Sequence, residues 1–392
     1  MSLKTVLAWT ASLPPIALTV LPMAKSTQWW IRLLDYPRLQ IAAALAATAG
    51  LQAAVLPRTA QHRGLQAATL ACLGWQLSRV QPYTRLHRRQ VASAAQADPQ
   101  HSICLMMANV LQGNRRAAEF LRCVAQVDPD IVLTVETDPW WDEQLAAGLQ
   151  SRYPHAVRHP LSNTYGMLLF SKLELADVKL QDRVSKDIPS IFARVRLRSG
   201  QWVNLHCLHP EPPQVGNDVD ERDAELLMVA REVERDRHPT IVCGDLNDVA
   251  WSHTTRLFQR VSGLLDPRVG RGLYPTFHAE HWFARWPLDH VFHDQSFRLQ
   301  HLQVLPYYGS DHFPVCIRLV HDPAAVHEHD VPVADAKDHE EAAQRIAQGR
   351  EAAAENGHVP PGGSAGPAAA QALDSTVPSK RAAPVRTSSS TA

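Results

Sequence analysis

Short apolar runs that stop or start on an oxygen-bearing or imidazole side chain constrain this chain more than any other feature. Asn109 ends ICLMMAN, Glu136 follows IVLTV, and Asp245 follows IVCG. Asp289 and His290 open DHVFH, and Asp311 and His312 precede FPVCI. Runs of four to eight β-branched or apolar residues between turn signals read as strands. Such runs occupy 103–108, 131–135, 167–170, 191–195, 202–207, 241–243 and 313–319. Positions 115–127, 140–149 and 220–235 instead repeat apolar residues at helical spacing, and Asp128-Pro129-Asp130 stops the first of these helices. Strands alternating with helices predict an α/β domain. In such folds the functional groups gather at strand ends, on loops held by the sheet.

Each polar residue alone has an ordinary explanation, since Asn and Asp at strand ends commonly serve turns or helix caps. Their joint occurrence, with a further element His206-Cys207-Leu208-His209-Pro210, favours a site. Carboxylate and amide oxygens are hard ligands that suit Mg²⁺, with Mn²⁺ as its substitute. Histidines beside such an ion can donate to a phosphate or handle a proton, and a further carboxylate can orient one of them. This is an inventory for hydrolysing a phosphate ester.

Residues 1–80 contrast with everything after them. Positions 5–24 and 39–56 carry no charge, and 64–78 is a shorter uncharged run. A spanning helix takes roughly 20 largely apolar residues, which the first two runs meet and the third approaches. Trp29, Trp30 and Tyr36 cluster between the first two, as an interfacial aromatic belt would. The region reads as a membrane anchor of two to three transmembrane helices at about 5–24, 39–56 and 64–80. A cleaved signal peptide competes for the first run, against Pro14, Pro15 and Pro22 and without a small-residue cleavage site. With three spans, the positive residues Lys25, Arg32, Arg38, Arg79, Arg85, Arg88 and Arg89 put the large domain in the cytoplasm.

A linker at 81–100 then leads to a catalytic domain at 101–321. Residues 322–392 are rich in Ala, Pro, His, Ser and Gly and read as a disordered low-complexity tail, with 340–355 as a transient helix. The six cysteines include no CxxC pair, which argues against zinc and iron–sulfur sites and leaves them as small buried hydrophobes. Lys+Arg and Asp+Glu balance at 39 each, so the basic excess of a nucleic-acid-gripping protein is absent.

The order Asn109-Val, Glu136, His209-Pro, GDLND, LDHVF, GSDHFPV resembles the endonuclease/exonuclease/phosphatase superfamily over residues 101–320. GDLND and GSDH with LDH between them carry most of that likeness. TYGMLLFS, RDAEL, RWPLDHVF and GSDHFPV are similar to a bacterial branch whose members often have N-terminal membrane helices. The resemblance implies a four-layer α/β sandwich, two mixed sheets flanked by helices, in a multi-pass protein of the bacterial inner membrane. It implies Glu136 as principal metal ligand, helped by Asn109 and Asp311. Asp245 would position and deprotonate the attacking water, and Asn247 would hold the pentavalent phosphorus. His209 would contact the phosphate, and His312, oriented by Asp289, would donate to a phosphoryl oxygen or act as base. Leu111 stands where many nucleases of the group carry a second Asn or Asp, which leaves a two-residue metal grip in doubt.

Membership of such a superfamily sets the reaction and not the substrate. Tyr165, Arg222 and Trp251, next to the motifs, are candidates for substrate contact, although Trp251 can begin a helix and Arg222 can pair with Glu225. The anchor and neutral charge favour a phosphate ester that is membrane-proximal or lipid-linked, with the bilayer as the other partner. A nuclease acting on DNA or RNA is the alternative, and a non-enzymatic scaffold a third reading. No protein partner is inferred.

Overall fold

The computed structural model describes residues 3–358, apart from 97 and 237. The first uncharged run forms α1 (Leu3–Val20), continued to residue 24 by a tight 3₁₀ turn. A single turn, α2 (Trp29–Arg32), leads into α3 (Arg38–Val55) and α4 (Ala60–Val80). Thr59 caps α4 by accepting the His62 N–H. The interior of this three-helix bundle is mixed, with Ile41, Leu45 and Cys72 buried beside polar side chains. Its inward positions include Ser12, Thr19, Gln52, Thr69 and Gln76, whereas Leu3, Leu7, Leu13, Leu51, Leu70 and Leu77 are exposed. Gln52 Nε2 donates to Ser12 Oγ (2.7 Å) and Thr69 Oγ1 (2.8 Å), and Gln76 Nε2 to Thr19 Oγ1 (3.0 Å). α1 with its 3₁₀ extension and α3 are long and apolar enough to cross a membrane, which α4 is not among the described residues.

The longer part of the chain carries eleven strands among the described residues. They are β1 (Ser102–Asn109), β2 (Ile131–Val135), β3 (His155–His159), β4 (Met167–Ser171), β5 (Leu175–Asp182) and β6 (Pro189–Arg196). β7 (Trp202–Leu208), β8 (Thr240–Asp245), β9 (Asp289–His293), β10 (Phe297–Val304) and β11 (Val315–His321) follow. Helices α5 (Ala117–Val127), α6 (Pro139–Leu149), α7 (Asp220–Arg235), α8 (His253–Ser262) and α9 (Ala336–Glu355) connect or follow them.

One sheet has the order β10-β11-β1-β2-β4-β3 and the other β5-β6-β7-β8-β9. Each contains one parallel pair, β1 with β2 and β7 with β8, and is otherwise antiparallel. The strands at both centres are apolar on both faces, as sheets covered on both sides require. Their facing side chains, among them Leu105, Leu133, Leu205, Ile241 and Ile317, form the core between the sheets. α5 and α6 cover the outer face of the first sheet through Phe120, Val124, Trp141 and Leu145. α7, α8 and α9 cover the second through Leu226, Leu227, Phe258 and Ile346. The expected sandwich of two mixed sheets between helices is present, and all six cysteines are buried and free.

Two boundaries need correction. The stretch expected as a linker, 81–100, runs against the sandwich: Val91 is buried in the core between the sheets, and Tyr83 donates its hydroxyl to Ala250 O at 2.7 Å. The expected disordered tail is ordered as far as residue 358. Asp335 and Asp338 form a capping box that starts α9. α9 then buries Ala342, Ile346 and Ala353, and at Gly349 a Cβ would stand 2.4 Å from Ala224 Cβ of α7. Apolar periodicity was weak here because a few small contacts and an ion pair, Arg345 to Asp223 at 3.0 Å, supply the docking. Residues 359–392 of that expectation lie outside the described residues.

Candidate active site

The parallel pairs β1–β2 and β7–β8 lie at the centres of their sheets, and all four strands run to the same edge of the sandwich as judged by what their ends touch. Asn109 closes β1, and its Nδ2 donates to Glu136 Oε1 (2.7 Å), just past β2, and to Asp245 Oδ2 (3.0 Å), at the end of β8. Glu136 has a left-handed φ of 61°. Its second oxygen accepts the Gln112 N–H at 3.2 Å. At Gly244, φ is 150° and a Cβ would stand 1.8 Å from Leu208 O, so only glycine lets β8 deliver Asp245 beside β7.

Burial raises the Glu136 carboxyl above its usual range, and Asp245 and Asp311 push it further up. Burial likewise raises Asp245. The half-buried Glu136 and the buried Asp245 thus converge on one amide, an excess of negative charge that a divalent cation would relieve. The donors are hard oxygens throughout, so the residues fit Mg²⁺ or Mn²⁺.

His312 stands next to this acidic cluster. Its Nδ1 is 2.8 Å from Asp289 Oδ2 and its Nε2 3.5 Å from Asp245 Oδ2. The ligating atoms of these three buried residues lie within 4.8 Å of one another. Burial alone would push the imidazole down, but Asp245 and Asp289 outweigh it and lift its pKa to about 10. His312 is therefore a charged donor at neutral pH. Phe277 packs on its ring at 4.9 Å.

His209, following β7, has the opposite setting. Burial pushes its pKa down to about 4, so it is neutral, and its Nδ1 has no hydrogen-bond partner. Tyr165 packs against it with ring centroids 5.5 Å apart. Asn247 adopts a left-handed φ of 48°. Its N–H donates to Asp245 Oδ1 (3.0 Å), and its Nδ2 donates to Pro210 O (2.9 Å). Asp311 sits beside Ser310, whose Oγ lies 3.4 Å from Asp311 Oδ1. Asn109, Glu136, His209, Asp245, Asn247, Asp289, Asp311 and His312 are thus drawn into one neighbourhood, with Tyr165 at its edge.

Two predicted substrate contacts are not there. Arg222 is 2% exposed, and its guanidinium meets Asp223 (2.8 Å) and Asn247 O (2.7 Å), not Glu225. Trp251 is equally buried, and its Nε1 donates to Asp35 O at 2.7 Å. Both stand behind the GDLND loop, occupied by protein, because proximity in sequence to GDLND does not fix the side of the loop on which a side chain falls.

Other positioning groups were invisible to motif reasoning because they act through backbone. Tyr308 and Ser310 both donate to Asn109 O, at 2.6 and 2.7 Å. Leu111 N–H donates to Asn109 Oδ1 (3.0 Å), so the main chain fastens the loop where a second acidic or amide side chain is missing. Gln112 ties the same loop to Ser162 O (3.1 Å) and to Thr164 N (2.9 Å), next to Tyr165.

A model of the Endonuclease/Exonuclease/phosphatase family matches residues 107–312, more than half of the chain. The chain belongs to the endonuclease/exonuclease/phosphatase family. That family includes metal-dependent phosphoesterases and nucleases. The match runs from β1 to His312 and so takes in the whole cluster. Among solved structures, a humanized D. rerio TDP2 carrying 14 mutations is similar at 16% identity, covering 56% of this chain and 99% of that one, with a TM-score of 0.48. The human nocturnin catalytic domain with bound sulfate matches at 17% identity over 57% of this chain and 96% of its own, with a TM-score of 0.47. A family protein from Bacteroides thetaiotaomicron matches at 19% identity, over 58% and 98%, with a TM-score of 0.47. None of the curated proteins is a significant match.

Proposed function

We propose that this family member is a Mg²⁺-dependent phosphoesterase, with Mn²⁺ as substitute, acting on a membrane-proximal or lipid-linked phosphate ester. The observation that carries the reading is the junction of an acidic oxygen cluster, Glu136 and Asp245 about Asn109, with the charged His312. Glu136 would hold the metal with Asn109 and Asp311, and the ion would supply Lewis acidity toward the phosphoryl oxygens. Asp245, whose carboxyl is raised by burial, is the group that would orient and deprotonate a water. His312, held by Asp289, would donate toward a phosphoryl oxygen, and neutral His209 and Asn247 would contact the phosphate.

The membrane half of the proposal rests on the polar contacts inside the bundle and the leucines outside it. In lipid, polar side chains hydrogen-bond across helices, as Gln52 and Gln76 do here beside the buried Ile41 and Leu45, while many leucines face outward. α4, less apolar, then joins the bundle as its third member and need not match the first two in hydropathy. Lys25 and Arg79 lie at the end of the bundle that meets the sandwich, with Arg85, Arg88 and Arg89 just beyond, while Arg58 and Arg63 lie at the other end. By the charge rule the catalytic domain is then cytoplasmic. Tethering raises the local concentration of a bilayer substrate.

The full-length chain in detergent, assayed with Mg²⁺ on lipid pyrophosphates, phosphoinositides, inositol phosphates and DNA, tests this reading. Turnover of a lipid phosphate, lost in Asp245→Ala, is the expected result. Activity confined to DNA would replace it with the nuclease reading.

A further inference from the structure

Tyr36 belongs to the N-terminal module, in the turn between α2 and α3, yet its hydroxyl donates to Asn247 O at 2.7 Å. Arg222 Nη1 donates to the same oxygen, also at 2.7 Å. With its N–H on Asp245 and its Nδ2 on Pro210, the residue after His209, Asn247 is fastened at its N–H, its carbonyl and its side-chain nitrogen. A non-glycine residue at a φ of 48° holds that conformation only where its surroundings over-determine it. Here half of the restraint on its carbonyl comes from outside the sandwich.

The restraint is itself built rigidly. The Tyr36 ring meets Trp286 edge-on, with centroids 5.7 Å apart. Next to it, Trp251 Nε1 donates to Asp35 O, and Arg32 Nη2 reaches Asp248 Oδ2 at 3.3 Å and Thr254 Oγ1 at 3.1 Å. Asp35, Tyr36 and Arg32 thus form a wedge that packs on the back of the GDLND loop. Burial raises the Tyr36 phenol, which keeps it an O–H donor at every physiological pH.

We infer that Tyr36 is a positioning residue for the reaction: with Arg222 it fixes the carbonyl of Asn247, and so sets the direction in which Asn247 and Asp245 face the substrate. The N-terminal module would then complete the catalytic loop as well as tether it. The inference rests on the phosphoesterase reading.

Tyr83 provides a matched control. It is buried at the same interface and its hydroxyl donates to Ala250 O at 2.7 Å, the same chemistry three residues beyond Asn247. The experiment measures kcat, KM and thermal midpoint for full-length wild type, Tyr36→Phe, Tyr83→Phe and Asp245→Ala. All are assayed in detergent with Mg²⁺ and bis(p-nitrophenyl) phosphate. Tyr36→Phe should lower kcat about tenfold with KM within about twofold, because misplacement of a catalytic group acts on the transition state. Tyr83→Phe should lose a similar amount of thermal stability while kcat stays within about twofold. An unchanged kcat in Tyr36→Phe, or an equal fall in both tyrosine variants, would overturn the inference. Wild-type activity in Asp245→Ala would overturn the phosphoesterase reading, and the inference with it.

Discussion

His312 Nδ1 lies 2.8 Å from Asp289 Oδ2, and this contact, with Asp245 on the other ring nitrogen, keeps a fully buried imidazole charged. Asp289→Asn retains the shape of the pair and removes its charge. The alkaline limb of kcat/KM should then move to lower pH. At pH 8 the rate should fall roughly 10²-fold, the size of a lost acid–base contribution. A pH–rate profile of both proteins checks this, and an unmoved limb would show that the limb belongs to a group other than His312.

The same pair makes a stability prediction. Because folding raises the His312 pKa to about 10, the charged ring stabilises the metal-free protein fully below its unfolded value of about 6.5. That contribution declines as pH rises from there and is gone above 10. His312→Gln should flatten the alkaline part of a thermal-midpoint series between pH 7 and 10.5.

Asn109 spans Glu136 and Asp245 and orients both carboxylates. Asn109→Ala should raise the Mg²⁺ concentration for half-maximal activity by about 10–100-fold, as loss of a supporting group around a metal commonly does. A Mg²⁺ titration of the rate reads it directly.

Asp223 is buried among three guanidinium groups: Arg222 at 2.8 Å, Arg345 at 3.0 Å and Arg32 at 3.7 Å. These come from α7, α9 and α2, so one carboxylate joins the N-terminal module, the sandwich and the C-terminal helix. Arg32, Arg222 and Arg345 hold Asp223 well below the usual carboxylate range, against the effect of burial. Asp223→Ala strands the three charges and should cost about 3–5 kcal/mol, visible as a lower thermal midpoint.

Glu341 of α9 accepts from His253 (2.6 Å), Lys25 (3.1 Å) and Arg345 (3.1 Å). Burial alone would raise it, but His253, Lys25 and Arg345 hold its pKa down to about 2. Its contribution is therefore present above the unfolded value of about 4.3 and lost as pH falls toward 2. Hydrogen exchange in 336–355 should rise over that acid window, and Glu341→Gln should show the faster exchange already at neutral pH.

How far the sequence could be read follows from these contacts. The interior strands were legible because both faces are apolar and the runs are continuous. β3, β5 and β10 escaped notice because they are edge strands with alternate exposed residues, so half their positions are polar. The cluster was legible because its side chains lie at or beside the ends of apolar strands. Tyr36, Tyr308 and Ser310 were not, since each acts on a backbone carbonyl, and a carbonyl leaves no mark in sequence. Arg222 and Trp251 were misread because the loop they adjoin has a substrate side and a back, and only the packing of 29–38 separates them.

The most direct test of the account is hydrolysis of a generic phosphodiester by the full-length chain in detergent, with chelator and then with Mg²⁺ restored. The expected result is turnover that chelator abolishes, Mg²⁺ or Mn²⁺ restores, and Asp245→Ala and His312→Ala each remove. Turnover that ignores chelator, or that survives Asp245→Ala undiminished, would contradict it.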